Sequence, residues 1–288
     1  MRKQGRRILL SAAVIVACLY SVWPVILVVT EGFGIDLSPL FSGKGIRFIG
    51  GVPYYSGGIF PTTIHYLDVI NVEGFPRLVL NSTAIALINL VVVLAVGIPA
   101  AYALARVKLR GKSVIGALLL GLRTISPFAV ILPLYLIYVQ SGLWDTYLGM
   151  ALAYLVIDTP VVVWLVRGYF SDIPRSVYEA AEVSGATERQ TFLKVAIPLV
   201  IPGIAATAVF AFVLIWNEFL MANLLVGPKS LTATVGVWVG GGEHAGSYKP
   251  IDWDELNAAA GLALIPALAI VLAIRKYLAK AFTLGVAR

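Results

Sequence analysis

Four polar side chains stand within or at the ends of otherwise apolar runs of this sequence: Arg123, Asp158, Asn217 and Glu218. Such groups are costly in hydrocarbon, so each is a functional candidate. Arg123 and Asp158 lie near the ends of their runs, where the cost falls and pairing with a backbone carbonyl or another helix is the plainer role. Asn217 and Glu218 sit deeper and follow Trp216. An aromatic face beside hydrogen-bonding groups suits a sugar, whose C–H faces stack and whose hydroxyls need partners. A shared gate or a helix contact is the rival role for the same three residues. The two histidines, His65 and His244, and the single cysteine, Cys18, are too few for a metal cage, and no disulfide can close within the chain. No Ser, His and Asp set and no paired carboxylates share one level, so no catalytic residue is assigned. Gly111-Lys112-Ser113 ends like a phosphate-binding loop, but Arg106 stands where that loop needs its first glycine.

These residues are carried on an unusually apolar chain. Hydrophobic residues make up 59% and charged residues 13% of the 288, and the mean hydropathy is +0.90. Soluble chains are roughly half apolar and a quarter charged. Taking about 20 apolar residues per crossing, membrane helices are predicted near residues 8–30, 78–104, 114–139, 147–166, 203–226 and 258–274. The fold class is therefore all-α, an integral membrane protein with six transmembrane helices. The first run is longer than the apolar core of a cleaved signal peptide, so it reads as a retained helix. Gly97 with Pro99, Pro127 with Pro133, and Pro266 are expected to kink their helices, as membrane helices tolerate.

The net charge of +7 does not gather into a stripe that would suit nucleic acid. Instead, 16 of the 22 Lys and Arg residues flank one side of the expected bilayer, five flank the other, and Arg123 lies within a span. The basic side faces the cytoplasm by the positive-inside rule, which puts both termini there. The outer segments are then 31–77 and 227–257. The first, long for a pure connection, reads as a small cap with no particular chemistry.

Residues 167–202 form the longest cytoplasmic connection and have a helical pattern. Pro174 suits a first turn, and Tyr178, Ala180, Ala181 and Val183 alternate with Glu179 and Glu182. Gly185 permits a turn, and Thr187 with Gln190 has capping-box spacing for a second short helix through Phe192, Leu193 and Val195. Pro198 and Pro202 are expected to end that helix before the next span. Two adjacent alanines allow a partner's backbone to approach closely, although an amphipathic connector is the plainer alternative.

Glu179-Ala180-Ala181, Gly185 and Ile197-Pro198 closely resemble the EAA motif of importer permeases of the ATP-binding cassette superfamily. The family usually has Asp before the glycine, where this chain has Ser184. The resemblance runs over about residues 81–288 and narrows to MalG-like carbohydrate permeases. It includes Asn81-Ser82, the run from Ala100 to Arg106, Gly111-Lys112, Arg123 ahead of Pro127 and Pro133, Trp216-Asn217-Glu218-Phe219, and the run from Phe282 to Val286. Segment 31–77 does not match well.

The resemblance implies a type I importer permease core of the MetI-like kind. Residues 1–77 would hold the first helix and outer loop, 78–274 the permease domain with coupling loop 167–202, and 275–288 a cytoplasmic tail. In the family the motif forms a coupling helix that enters a cleft on a separate ATPase. Glu179 would then pair with a basic group there, Ala180 and Ala181 would pack closely, Gly185 would make the turn, and Ile197 and Pro198 would complete the motif. Thr283, Leu284 and Gly285 would reach the ATPase dimer. The stretch from Gly240 to Gly246 either touches a binding protein or serves as a flexible linker. The implied partners are a second, homologous permease subunit, two ATPase subunits carrying ATP and Mg2+, an extracytoplasmic solute-binding protein and membrane lipid. No cofactor is expected in this chain, and no nucleic acid. The implied cargo is a mono- or oligosaccharide, with a polyol or glycerol phosphate as the alternative. An ion-coupled secondary transporter using Arg123, Asp158 or Glu218 is the rival mechanism.

Overall fold

A computed structural model describes the backbone of residues 2–35, 47–49, 52–54, 63–71, 74–107, 110–238 and 253–286. It is helical apart from one antiparallel hairpin, β1 (Arg47–Ile49) and β2 (Val52–Tyr54), in which Phe48 faces Pro53. The helices are α1 (Arg2–Gly32), α2 (Ile64–Asn71), α3 (Phe75–Arg106), α4 (Lys112–Leu122), α5 (Pro127–Ser141) and α6 (Tyr147–Asp172). There follow α7 (Arg175–Val183), α8 (Glu188–Gln190), a π-helical turn (Thr191–Ala196), α9 (Ile197–Trp216), α10 (Leu220–Leu225), α11 (Ala233–Trp238) and α12 (Trp253–Val286). Among the described residues, five helices are long and apolar enough to cross a bilayer, and α4 and α5 are apolar but shorter.

The expected third span, 114–139, is not continuous. It divides into α4 and α5 at residues 123–126, because Pro127 forces Ser126 out of the helical region, to φ −59° and ψ 129°. With 11 and 15 residues, the halves are about 16 and 22 Å long at 1.5 Å per residue, so neither alone spans a 30 Å hydrocarbon core. Arg123 therefore caps a break instead of sitting in a helix interior.

Pro198 and Pro202 do not terminate the helix before the fifth span. Helical structure runs unbroken from Glu188 to Trp216. Pro198 opens α9 directly after the π-helical turn, whose wider hydrogen-bond register accommodates the missing N–H. The widened turn before it carries the chain on, with the Ile197 N–H reaching the Phe192 carbonyl five residues back. The same span stops early, at Trp216, and α10 is separate from it. The last span also continues, so the backbone of residues 275–286 is helical and not a loose tail.

The chain divides into two compact units, residues 1–77 with 236–265 and residues 78–235 with 266–288. In the first, Gly32 lets α1 lie against Tyr66 and Ala258, since a Cβ there would stand 2.8 Å from the tyrosine hydroxyl. Asn257 Nδ2 donates to Glu31 Oε2 at 2.6 Å, and the Phe33 and Tyr66 rings lie 4.7 Å apart. The apolar side chains of α1 from Leu10 to Ile26 are exposed, as a lipid-solvated surface would be.

In the second unit α6 is the central helix: 61% of its most apolar stretch is buried. One end of the core gathers Ile85, Tyr138, Met150, Tyr154, Phe212 and Trp216. The other gathers Val93, Leu104, Val162, Phe170, Tyr178 and Val200. Small residues allow close helix contact: a Cβ on Gly203 of α9 would overlap the Tyr169 ring of α6. Buried Asn89 of α3 donates to the Ala151 carbonyl at 3.0 Å, a polar tie in an apolar surround.

Candidate functional site

α7 is defined by its ends. It begins after Pro174, and it closes in a two-bond cap in which the Ala186 N–H reaches the Ala181 carbonyl and the Gly185 N–H reaches the Glu182 carbonyl. That cap needs a left-handed residue, and Gly185 supplies it at φ +76°. The predicted capping box is present: the Gln190 N–H donates to Thr187 Oγ1 at 3.3 Å, and the Thr187 N–H donates to Gln190 Oε1 at 2.9 Å. The chain turns sharply between α7 and α8, leaving a short helix outside the spans.

The faces of α7 differ. Tyr178 and Ala181 are buried, whereas Glu179, Ala180, Glu182, Val183 and Ser184 are exposed. Of the two alanines, then, Ala181 packs inward and Ala180 is the one open to a partner. Val183 is 90% exposed, an apolar side chain at the tip of a helix that is not among the spans. Glu179 forms only a loose i,i+4 pair with Arg175 at 3.6 Å, which leaves it free to re-pair at little cost. Ile197 is half-buried and Pro198 exposed where α9 begins.

Behind α7 stands a group that the motif alone does not reveal. Arg106, the last residue of α3, donates Nη2 to the carbonyls of Phe170 (3.0 Å) and Ile173 at the end of α6. Its guanidinium carbon lies 3.9 Å from the centre of the Tyr178 ring. Tyr102, one turn earlier, contacts the rings of Phe170, Tyr178 and Phe192 at 5.3, 6.5 and 4.7 Å. Burial pushes the Tyr178 hydroxyl above its ordinary 10.0, with Arg106 pulling the other way. The sequence signal was the i,i+4 spacing of Tyr102 and Arg106, which places both on one face of α3.

The other candidates are placed as follows. Trp216 is buried and stacked on Phe212, 5.6 Å between centroids and 16° between planes. The Glu218 carboxylate accepts the N–H groups of Met221 (3.0 Å) and Ala222 (3.1 Å), capping α10, and takes a hydrogen bond from the Tyr154 hydroxyl. With Ser82, Thr232 and Thr234 these groups line a cavity of ≈ 10 Å³, roughly room for one water. Asn217 is exposed and donates to the Val213 carbonyl at 2.7 Å. Asp158 is fully buried, and neither of its oxygens has a hydrogen-bond partner among the described residues. Arg123 is exposed and borders a separate cavity of ≈ 320 Å³ with Leu120, Trp164, Tyr169, Thr207 and Phe210. Thr283, Leu284 and Gly285 fall on the α12 backbone, and the stretch from Gly240 to Gly246 lies outside the described residues.

A second feature was missed by sequence reasoning. Asp145, between α5 and α6, holds an unusual left-handed backbone at φ +56°. Its carboxylate accepts from the N–H groups of Gly227 (3.0 Å), Lys229 (3.2 Å) and Ser230 (2.8 Å) and from the Ser230 hydroxyl (2.8 Å). Burial would raise this carboxyl, but the four hydrogen bonds outweigh it and hold the group below its ordinary 3.8. Asn81 adds to the same tie: Nδ2 donates to the Lys229 and Leu231 carbonyls, and Oδ1 accepts from Tyr147 at 2.7 Å.

Residues 93–284 match the family described as binding-protein-dependent transport system inner membrane component. The chain is 35% identical over 225 residues to a probable ABC transporter permease protein, y4oR, of Sinorhizobium fredii, with 78% of this chain and 79% of that protein covered. It is 28% identical over 283 residues to the trehalose/maltose transport system permease protein MalG of Thermococcus litoralis, covering 97% and 96%. The fold is similar to that of a chain in the crystal structure of a bacterial ABC transporter involved in the import of the acidic polysaccharide alginate, with a TM-score of 0.70 at 19% identity over 96% and 98% of the two chains. The chain belongs to the family of inner membrane components of binding-protein-dependent transport systems: it is a multi-pass permease subunit of an ABC importer, not itself catalytic, and ATP is bound by the ATPase subunits.

Proposed function

We propose that this permease imports a mono- or oligosaccharide as one of two homologous but distinct membrane halves, working with two ATPase subunits and an extracytoplasmic solute-binding protein, with both its termini in the cytoplasm. The sugar reading is supported by the relative whose name is trehalose/maltose permease, which matches over nearly the whole chain. A polyol or glycerol phosphate is the alternative cargo. α7 receives the ATPase through Glu179, Ala180 and the turn at Gly185, and Thr283, Leu284 and Gly285 are assigned to a second contact with the ATPase pair. Trp216, Asn217 and Glu218 act as a gate, since the Glu218 carboxylate already caps α10.

The observation that carries this reading is the exposed tip of α7, with Val183 90% accessible beside Glu179 and Glu182. An apolar side chain held outside the bilayer by a closed helix cap is suited to burial in another protein. The experiment places a cysteine by Val183→Cys in a Cys18→Ser background and cross-links the assembled transporter. A bond to the ATPase subunit that shifts with nucleotide is expected; absence of any such bond in an intact complex removes the docking assignment.

A further inference from the structure

We propose that Arg106 is a positioning residue that locks α7 to the cytoplasmic ends of α3 and α6, so that a displacement of α7 moves those two spans as one body. The inference rests on α7 being the element that the ATPase engages.

α6 has no basic residue in its last turn, so the negative end of its dipole and its final carbonyls are left to other parts of the chain. Arg106 supplies both the charge and the donors, through Phe170 and Ile173. The planar face of the same guanidinium lies on Tyr178, 3.9 Å from the ring centre. One side chain thus ties α3, the end of α6 and the inner face of α7. The edge and the face of a guanidinium perform these two tasks at once, which an ammonium group cannot do. Tyr102 stacks the contact further, touching Phe170, Tyr178 and Phe192 and so adding the π-helical turn before α9. The connection from Ile173 to Pro174 is a bare extended link, with Ile173 at φ −67° and ψ 125°. On its own it would let α7 swivel and absorb a push. The side-chain lock converts that link into a lever.

Arg106 rests on the ring face, 3.9 Å from its centre, and its pull on the nearby Tyr178 hydroxyl stops short of a hydrogen bond of normal geometry. This separates a lock from a general packing role. The test reconstitutes the complete transporter in proteoliposomes and reads solute taken up per ATP hydrolysed. Arg106→Lys keeps the charge and loses the fork and the stack; uptake per ATP is expected to fall by about fivefold or more, the lower range of coupling effects between sites. Tyr178→Leu, which keeps apolar bulk without a π face, is expected to fall similarly, and Tyr178→Phe to keep the wild-type ratio. An unchanged ratio in Arg106→Lys, or equal ratios for Tyr178→Leu and Tyr178→Phe, overturns the proposal. If Arg106→Lys does not assemble, the Leu and Phe pair decides alone. The cross-link from Val183→Cys is followed in each variant. A retained cross-link with a wild-type ratio sinks the lock and leaves docking intact, while no cross-link even in the Val183→Cys parent sinks docking itself.

Discussion

At the scale of single residues, the permease uses glycine and arginine where only their particular geometry serves. Gly185 sits at φ +76°, and a Cβ added there would meet nothing within 4 Å. A substitution therefore acts through backbone strain, about 1–2 kcal/mol, and through whatever partner approaches from outside. The two causes can be separated. Gly185→Ala carries the strain alone and is expected to leave the chain inserted with reduced coupled ATP hydrolysis. Gly185→Asp adds a charge on the open face, although Asp tolerates the left-handed region better than most residues. It is expected to insert equally well and to abolish transport-linked hydrolysis. Receptor-stimulated ATPase activity of the reconstituted complex checks this, and greater damage from Ala than from Asp would assign the effect to strain. Arg106 was legible only as part of a motif. Its contacts join residues far apart in sequence, and no local pattern states which carbonyls a helix-end arginine will reach.

At the scale of elements, local chemistry was readable wherever it is satisfied locally. The capping box at Thr187 and Gln190, the turn at Gly185 and the short helix between them follow from side-chain and backbone rules within a few residues. Proline was misread in both directions. Pro198 has the sequence look of a stop, but a preceding π turn accommodates it, while Pro127 breaks a run whose composition is that of one continuous span. Proline's missing N–H weighs differently at a helix start and in its middle, and apolar composition does not say which applies. Asp145 was equally hidden, because its partners lie more than 80 residues away. Its folded-state carboxyl is held below the ordinary 3.8. The tie therefore contributes stability that is complete above that value and is lost as pH falls through the lower folded value. Amides of Gly227, Lys229 and Ser230 are expected to stay protected from hydrogen exchange at pH 5 and above, and to open selectively below about pH 3.8. Asp145→Asn is expected to open them at every pH, since the amide keeps a single acceptor oxygen. Amides that exchange alike in both proteins across this range would show that the carboxylate does not hold the loop.

At the scale of the whole molecule, two sets of ties occupy opposite ends of the second unit's bundle. Asn81, held by the Tyr147 hydroxyl, and Asp145 bind residues 227–231 at one end, and Arg106 binds Phe170, Ile173 and Tyr178 at the other. Helices α3 and α6 run between them, so the two ends must lie on opposite sides of the membrane these spans cross. Which end is cytoplasmic is a question of charge. The alternation of spans read from the sequence predicts sixteen Lys and Arg residues on the side of α7 and five on the other, and the positive-inside rule then predicts that α7 faces the cytoplasm. In a Cys18→Ser background, a cysteine from Glu188→Cys, beside α7, should react with a membrane-impermeant maleimide only after the cells are opened. One from Lys229→Cys should react in intact spheroplasts. Both side chains are exposed, so burial cannot mimic protection. The reverse labelling pattern would put α7 outside the cell, out of reach of any ATPase, and the docking assignment and the Arg106 lock would fall together.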